Sequence, residues 1–176
     1  MNEGSSSDNP FVVSPEASVT VVATNETHTA LDLDAWADIV RRVLESEGVV
    51  GPAEANVVFL DADEMAALNA EHMGGSGPTD VLSFPIDDEP HAPTGPTEAP
   101  RLVGDIVVCP DIAAANAPHH AGTLDDELAL LLVHGSLHLM GHDHAEPGER
   151  DRMWSAERRL LTELWRPFPR DPWVSD

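Results

Sequence analysis

The histidines between positions 134 and 144 are the residues best suited, by type and spacing, to do chemistry. The stretch reads HGSLHLMGHDH and holds four of the chain's nine histidines. His134 and His138 are four residues apart in a predicted helix, so both imidazoles lie on one face. Gly141 can end that helix and reverse the backbone, which brings His144 back toward the other two. Three imidazoles that leave one coordination position open predict a catalytic zinc site, with one ion per chain.

The neighbouring polar residues have other expected roles. His142 falls outside the ligand spacing, and we expect it to be exposed or to support a ligand rather than bind the ion. Asp143 could orient a ligand histidine or accept a proton from a zinc-bound water, which is itself the expected catalytic group. His119 and His120, in the stretch APHHAG, are expected to face solvent. The remaining histidines have no partner at ligand spacing: His28, His72 and His91.

The spacing H-x3-H-x2-G-x2-H is also that of the metzincin zinc peptidases. Those enzymes have a glutamate after the first histidine, and this glutamate activates water. The present chain has Gly135 there. Met153 could be taken for the methionine of a Met-turn, but its helical spacing with other apolar residues predicts a core residue. A peptidase is therefore the less favoured interpretation.

The elements that must position this motif follow from the apolar pattern and the capping residues. Alternation and β-branched content predict strands over 18–24, 55–60, 81–85 and 102–109. Helices are predicted from Asp32 to Glu47, from a capping box at Asp61 and Glu64 to His72, over 111–117, from Thr123 into the motif, and from Pro147 to Trp165. This order predicts an α+β fold, a small mixed sheet with helices packed on it and the zinc site at the end of a long helix.

Composition limits the class of protein. Residues 1–17 are expected to be a disordered tail, 18–170 a single domain, and 87–100 an exposed loop. A single cysteine excludes an intrachain disulfide, and the longest apolar run, residues 128–133, is too short to span a bilayer, so a cytoplasmic protein is expected. The net charge of −23 argues against a free-standing RNA-binding protein, although not against one that a partner delivers to RNA.

Three stretches together resemble the YbeY family of bacterial endoribonucleases, also called rRNA maturation factors. The family motif is similar to H-G-x-L-H-L-x-G-[YH]-D-H, which residues 134–144 match throughout. A second family stretch, PTDVLSFP, occupies Pro78 to Pro85, and a third, GDI, begins at Gly104. The three occur in the family's order within residues 57–144, about half of the chain.

The resemblance implies a zinc-dependent endoribonuclease that trims the 3′ end of 16S ribosomal RNA and acts in ribosome quality control. It implies His134, His138 and His144 as zinc ligands. The implied partners are ribosomal RNA and the small ribosomal subunit, reached through protein partners, and no membrane. Thr79, Asp80 and Ser83 would line the cleft on the substrate side, although a turn and a sheet strand would account for them equally well.

The chain departs from the family pattern at one position. Members commonly carry an arginine before the PTDV stretch, where it could hold the scissile phosphate, and the present chain has Met73 there. An aspartate often found two residues before the proline is Ser76. Another arginine could take the place of the missing one and hold the phosphate. Alternatively, hydrolysis could be slow or could depend on a partner. The candidate substitutes, for which surface solvation is the ordinary explanation, are Arg41, Arg42, Arg150 and Arg152.

The sequence thus predicts zinc-assisted hydrolysis of RNA phosphodiester bonds. It leaves open whether water or the ribose 2′-hydroxyl is the nucleophile. Two alternatives also stay open: a non-catalytic ribosome-assembly factor with a structural zinc, and the metzincin-like peptidase.

Overall fold

The computed structural model describes residues 18–86 and 99–174 and shows an α+β fold with a four-stranded mixed sheet. The sheet order is β1-β2-β4-β3, from strands β1 (Val19–Asn25), β2 (Ala53–Phe59), β3 (Val81–Pro85) and β4 (Arg101–Val108). β1, β2 and β4 are parallel, and β3 runs antiparallel to β4 at one edge. The expected tail 1–17, and residues 87–98 of the expected exposed loop, lie outside the described residues.

Within the described ranges, five α-helices connect or follow these strands: α1 (Leu33–Ser46), α2 (Ala62–Met73), α3 (Pro110–Asn116), α4 (Leu124–Leu139) and α5 (Pro147–Leu164). Asp32 and Thr123 cap α1 and α4 as predicted, since each side chain accepts a backbone N–H of the first turn. The predicted capping box at Asp61 is wrong, because Asp61 precedes α2 without making a side-chain cap bond. The two reciprocal hydrogen bonds of a capping box need particular rotamers, which residue types do not specify. In this protein they occur between Glu146 and Glu149 at the start of α5.

The core lies on both faces of the sheet. Alternate residues of a strand point to opposite faces, and neighbouring residues of β4 accordingly fall in separate buried clusters. Val108 belongs to the larger cluster, which α1, α4 and α5 complete. Val107 belongs to the smaller one, with Met65 of α2 and Cys109. Met153 of α5 is fully buried in the larger cluster, as its helical spacing predicted.

α4 packs closely against β3 and β4 at Gly135. A Cβ built on Gly135 would lie 2.8 Å from Cγ2 of Ile106 on β4 and 3.1 Å from Oγ of Ser83 on β3. Only glycine lets the α4 backbone lie this close to these two side chains without a shift of the neighbours. This approach sets the end of α4, with its histidines, beside β3. Within the described residues, none of the helices combines the length and apolar character that a membrane span needs.

Candidate metal centre

The C-terminal end of α4 reverses the chain directly after the second histidine of the motif. α4 ends at Leu139, and Gly141 takes φ +90°, a left-handed conformation that glycine adopts without steric cost. The N–H of Gly141 donates to the carbonyl of His138 at 3.1 Å, and the N–H of His142 donates to that of Leu137 at 3.0 Å. These are the two bonds of a Schellman motif, so the predicted reversal at Gly141 is confirmed.

The reversal brings three imidazoles together. The ring centroids of His134 and His138 are 4.5 Å apart, and the ring of His144 is 5.6 Å from the first and 5.1 Å from the second. One ring nitrogen from each residue can be chosen so that all three lie within 4.8 Å of one another. The three histidines are therefore close enough to hold one metal ion, as the spacing predicted.

A buried glutamate holds the first of these rings. Glu157 on α5 is 2% exposed, and its Oε1 lies 2.6 Å from Nδ1 of His134. A carboxylate at Nδ1 favours the tautomer that leaves the Nε2 lone pair free, and Nε2 is 3.0 Å from Nε2 of His138. Sequence reasoning missed Glu157. A signal existed, because Glu157 lies four residues after Met153 on the apolar face of α5.

The electrostatics of the trio suit a cation. Burial, together with the charges that protonated His134 and His144 would carry, lowers the pKa of His138 to about 4. His138 is therefore neutral near pH 7, and neutral imidazole is the form that binds a metal. Three nitrogen donors, one already oriented by a carboxylate, match the ligands that zinc takes in catalytic sites.

The two polar residues between Gly141 and His144 take supporting positions. Nε2 of His142 lies 3.1 Å from Oε2 of Glu47, at the end of α1, and His142 is not part of the trio. Asp143 accepts the backbone N–H of His144 at 2.7 Å, and this bond lowers the pKa of its carboxyl group. Its carboxylate therefore stabilises the turn that carries a candidate ligand, and the lowered pKa makes it a weaker base.

The trio opens onto a cleft of about 500 Å³ between the end of α4 and β3. Thr79, Asp80 and Ser83 all line it, as the resemblance implied. Each also has a structural bond: Ser83 Oγ donates to the Gly135 carbonyl at 3.2 Å, and the Asp80 side chain accepts the N–H of Val81 at 2.8 Å and contacts Oγ1 of Thr79 at 3.5 Å. The three residues therefore line the cleft and also hold the turn and strand that form its wall.

Met73 also lines this cleft, 53% exposed, where the family pattern would place an arginine. The cleft-lining residues in the described part of the chain include no arginine. The four candidate substitutes lie elsewhere. Arg41 pairs with Asp38 and Glu45 on α1, and Arg42 is exposed on the same helix. Arg150 stacks 5.1 Å from the centre of the Trp154 ring, and Arg152 lines a separate pocket with His142 and Asp143.

The expectation for the APHHAG stretch is confirmed for His119, which is exposed, and holds in part for His120, whose side chain is 41% exposed but also bonds to a buried residue. Nδ1 of His120 lies 2.7 Å from Oε1 of Glu127, a fully buried side chain of α4. This hydrogen bond raises the pKa of His120. The stretch looks like a loop, but Glu127 needs a partner inside the fold, and His120 supplies it.

Comparisons with known proteins agree with this geometry. A family model described as "Endoribonuclease YbeY" matches residues 21–165. The chain belongs to the YbeY family. A relative from Salinispora tropica, named endoribonuclease YbeY, is 47% identical over 148 residues, 81% of this chain and 93% of the relative. A relative of the same name from Thermobifida fusca is 43% identical over 138 residues, 78% of this chain and 88% of the relative.

A solved structure supports the same fold. The solution structure of a Thermotoga maritima protein matches with a TM-score of 0.58 and 27% sequence identity. The match covers 82% of this chain and 89% of that one. The predicted α+β fold and family membership are thus both confirmed, and the three histidines lie inside the range that the family model matches.

Proposed function

We propose that this chain is a zinc-dependent endoribonuclease that matures the 3′ end of 16S ribosomal RNA in the cytoplasm and acts in ribosome quality control. Relatives at 42–47% identity carry the name endoribonuclease. The observation that carries the proposal is the convergence of His134, His138 and His144 at the wall of an open cleft. A closed structural site would instead surround an ion with protein ligands on every side.

The residues of the chain divide the work of the site. His134, His138 and His144 would hold the ion, and Glu157 orients the first of them. A bound zinc ion lowers the pKa of a water molecule toward neutrality and stabilises negative charge that develops on a phosphate. The β3 side of the cleft, with Thr79 and Ser83, would face the RNA strand.

We expect the cleft alone to bind the phosphates of RNA weakly, and we therefore propose that protein partners on the small subunit assist binding. The cleft contributes no arginine from the described residues, and the whole chain has a net charge of −23. Free RNA is therefore repelled at long range. A partner that binds both this chain and the 3′ end of the RNA would offset the repulsion, because it raises the local concentration of the RNA at the cleft.

A non-catalytic assembly factor with a structural metal is the second candidate. It is favoured by the same observation, that the described residues lining the cleft include no arginine. A zinc peptidase is opposed by the surroundings of Gly135, because a side chain there would meet Ile106 and Ser83. A glutamate at this position would force these neighbours to shift, which argues against the base that such peptidases use.

The test is cleavage of a precursor RNA that ends in the 16S 3′ region, with purified chain and added zinc, alone and bound to small subunits. We expect cleavage that a chelator abolishes and zinc restores. His138→Ala should abolish it while the melting temperature of the metal-free protein changes little. His119→Ala is the matched control, since it removes an exposed histidine outside the trio.

The outcomes separate the candidates. RNA left intact by the parent chain, both free and on small subunits, would overturn the nuclease proposal. Zinc binding and cellular ribosome assembly that persist without any RNA cleavage would support the assembly factor. Cleavage of casein under the same conditions would support the peptidase.

A further inference from the structure

The described residues after α5 include one that lies beside the candidate metal centre. Residues 166–174 follow the part of the chain that matches the family model, which ends at residue 165. Nε1 of Trp173 donates a hydrogen bond to Oε2 of Glu157 at 2.7 Å. The other oxygen of Glu157 contacts Nδ1 of His134 at 2.6 Å. Indole, carboxylate and imidazole thus form one continuous chain of hydrogen bonds that ends on a candidate ligand.

The indole that begins this chain is held in place by its neighbours. The ring of Phe168 stacks on that of Trp173, with centroids 5.7 Å apart and an interplanar angle of 21°. The guanidinium carbon of Arg158 lies 5.1 Å from the centre of the same ring. These contacts restrict rotation of the indole, so its N–H has a defined direction toward Glu157.

The indole bond restricts the carboxylate in turn. Glu157 is 2% exposed, so a rotated carboxylate would leave a buried oxygen without a partner. With Oε2 tied to Trp173, Oε1 is the oxygen that faces His134. A carboxylate in a fixed orientation holds the imidazole plane and its tautomer, and such outer partners strengthen metal binding.

We propose that Trp173 is a positioning residue for the metal centre: through Glu157, the C-terminal segment fixes the ring of His134 in its metal-binding orientation. This inference rests on the metal site of the proposed function, but not on its reaction. The contribution is a strengthening of zinc binding, which can be measured without RNA.

The decisive variant is Trp173→Phe, which keeps an aromatic ring and removes the N–H. Trp165→Phe is the matched control, because Nε1 of Trp165 likewise donates to a buried carboxylate, that of Asp126, at 2.9 Å. Asp126 contacts none of the three histidines in its hydrogen bonds. Both variants lose the same kind of bond, and only one loses a bond linked to the trio.

Zinc dissociation constants from competition with a chromophoric chelator provide the first measurement. Loss of a direct outer partner of a ligand typically weakens metal binding by about 10- to 100-fold, so we expect this range for Glu157→Gln. Trp173→Phe acts one bond further away and should weaken binding by up to about tenfold, the lower end of that range. Trp165→Phe should leave the constant unchanged. The absorption spectrum of the cobalt-loaded protein should change in Glu157→Gln and Trp173→Phe but not in Trp165→Phe.

A double-mutant cycle tests whether Trp173 acts through Glu157. If it does, adding Trp173→Phe to Glu157→Gln should weaken zinc binding no further. Additive losses, or equal zinc affinities in the parent and the Trp173→Phe protein, would overturn the proposal. Equal losses in both tryptophan variants would also overturn it, since they would reflect general destabilisation. A chain that binds zinc in this pattern but does not cleave RNA would refute the proposed reaction and leave this inference standing.

Discussion

Two buried carboxylates in this protein each accept a hydrogen bond from a tryptophan N–H, but their other partners differ. Asp126, in the first turn of α4, is 1% exposed and contacts Nε1 of Trp165 and Nε of Arg166, both at 2.9 Å. Glu157, on α5, is 2% exposed and contacts Trp173 and a histidine of the trio. One carboxylate is paired with a permanent cation, and the other with an imidazole.

The difference distinguishes a structural site, around Asp126, from the candidate metal centre, around Glu157. The charge of Asp126 is balanced by Arg166, whose side chain is 55% exposed, and by the N-terminus of α4. Burial alone would raise its pKa, but hydrogen bonds from Thr123, Trp165 and Arg166 lower it. Glu157 faces a ring that is uncharged when it binds metal, so its compensating positive charge would come from the ion beyond that ring. Removing Arg166, the partner of Asp126, should therefore affect stability, whereas removing His134, the partner of Glu157, should affect metal binding.

His134→Ala against Arg166→Ala is the comparison with the largest expected effect. Loss of His134 removes a ligand, and zinc binding should weaken by more than about 100-fold, the upper range for outer partners. Arg166→Ala should leave the zinc dissociation constant within about twofold while lowering the melting temperature, since it touches no candidate ligand. Chelator competition and thermal melts measure both. Zinc binding that survives in His134→Ala would remove the contrast between the two sites.

Asp126→Asn should have the next largest effect, on stability rather than on metal binding. The change weakens a buried site that holds Arg166, and we expect the free energy of unfolding to fall by about 1–3 kcal/mol. Asp125→Asn is the control, because it removes the same charge from an exposed position in the same turn. Urea unfolding measures both. Equal stabilities of the two variants would show that Asp126 is not the structural site described above.

Asp126 has a cationic partner in Arg166, whereas the described cleft-lining residues supply no arginine to a phosphate. Met73→Arg tests whether adding one improves RNA binding. An arginine there would project from a half-exposed position in the cleft and could contact one phosphate. Affinity for single-stranded RNA should rise on the order of threefold at low salt, and the slope of log affinity against log salt should steepen by about 0.7. Val22→Arg adds the same charge at an exposed position on β1. Anisotropy titrations in which both variants gain equally would point to net charge alone.

The smallest effect is the pH dependence of the Asp126 site. Because the folded pKa of Asp126 lies below its ordinary value of 3.8, its contribution to stability is present above that pH and is lost as pH falls through the folded pKa. The stability difference between the parent and Asp126→Asn should thus be constant from neutral pH to about pH 5 and shrink below pH 4. Urea unfolding across this range measures it. A difference that grows on acidification would contradict the lowered pKa.

Local patterns in the chain were sufficient for most of the fold. The strand at 81–85 and the starts of α1 and α4 follow from alternation and capping residues, and they need no knowledge of distant partners. The wrong capping box at Asp61 and the unforeseen bond of His120 to Glu127 have a common cause. Whether a side chain makes a bond depends on its rotamer and on what packs beside it, and residue type alone does not determine either.

The candidate metal site likewise has a part that could be predicted from the sequence and a part that could not. The four-residue spacing of His134 and His138 and the reversal at Gly141 are local, so they could be predicted. Glu157 lies 23 residues from His134 in the chain, and Trp173 lies 16 residues beyond Glu157. No spacing rule links residues so far apart, although a glutamate on the apolar face of α5 indicated that a buried partner must exist.

By itself, the sequence determined where α4 runs, where it stops and which three imidazoles can meet there, because helical periodicity and glycine's freedom at positive φ act within a few residues. The tertiary structure decided what surrounds them. The packing of α5 and the C-terminal segment against α4 brings a carboxylate and an indole behind His134. The packing of α4 beside β3 places the cleft in front of the same histidine. Both depend on many weak contacts between distant parts of the chain, which the order of residues around the motif does not reveal.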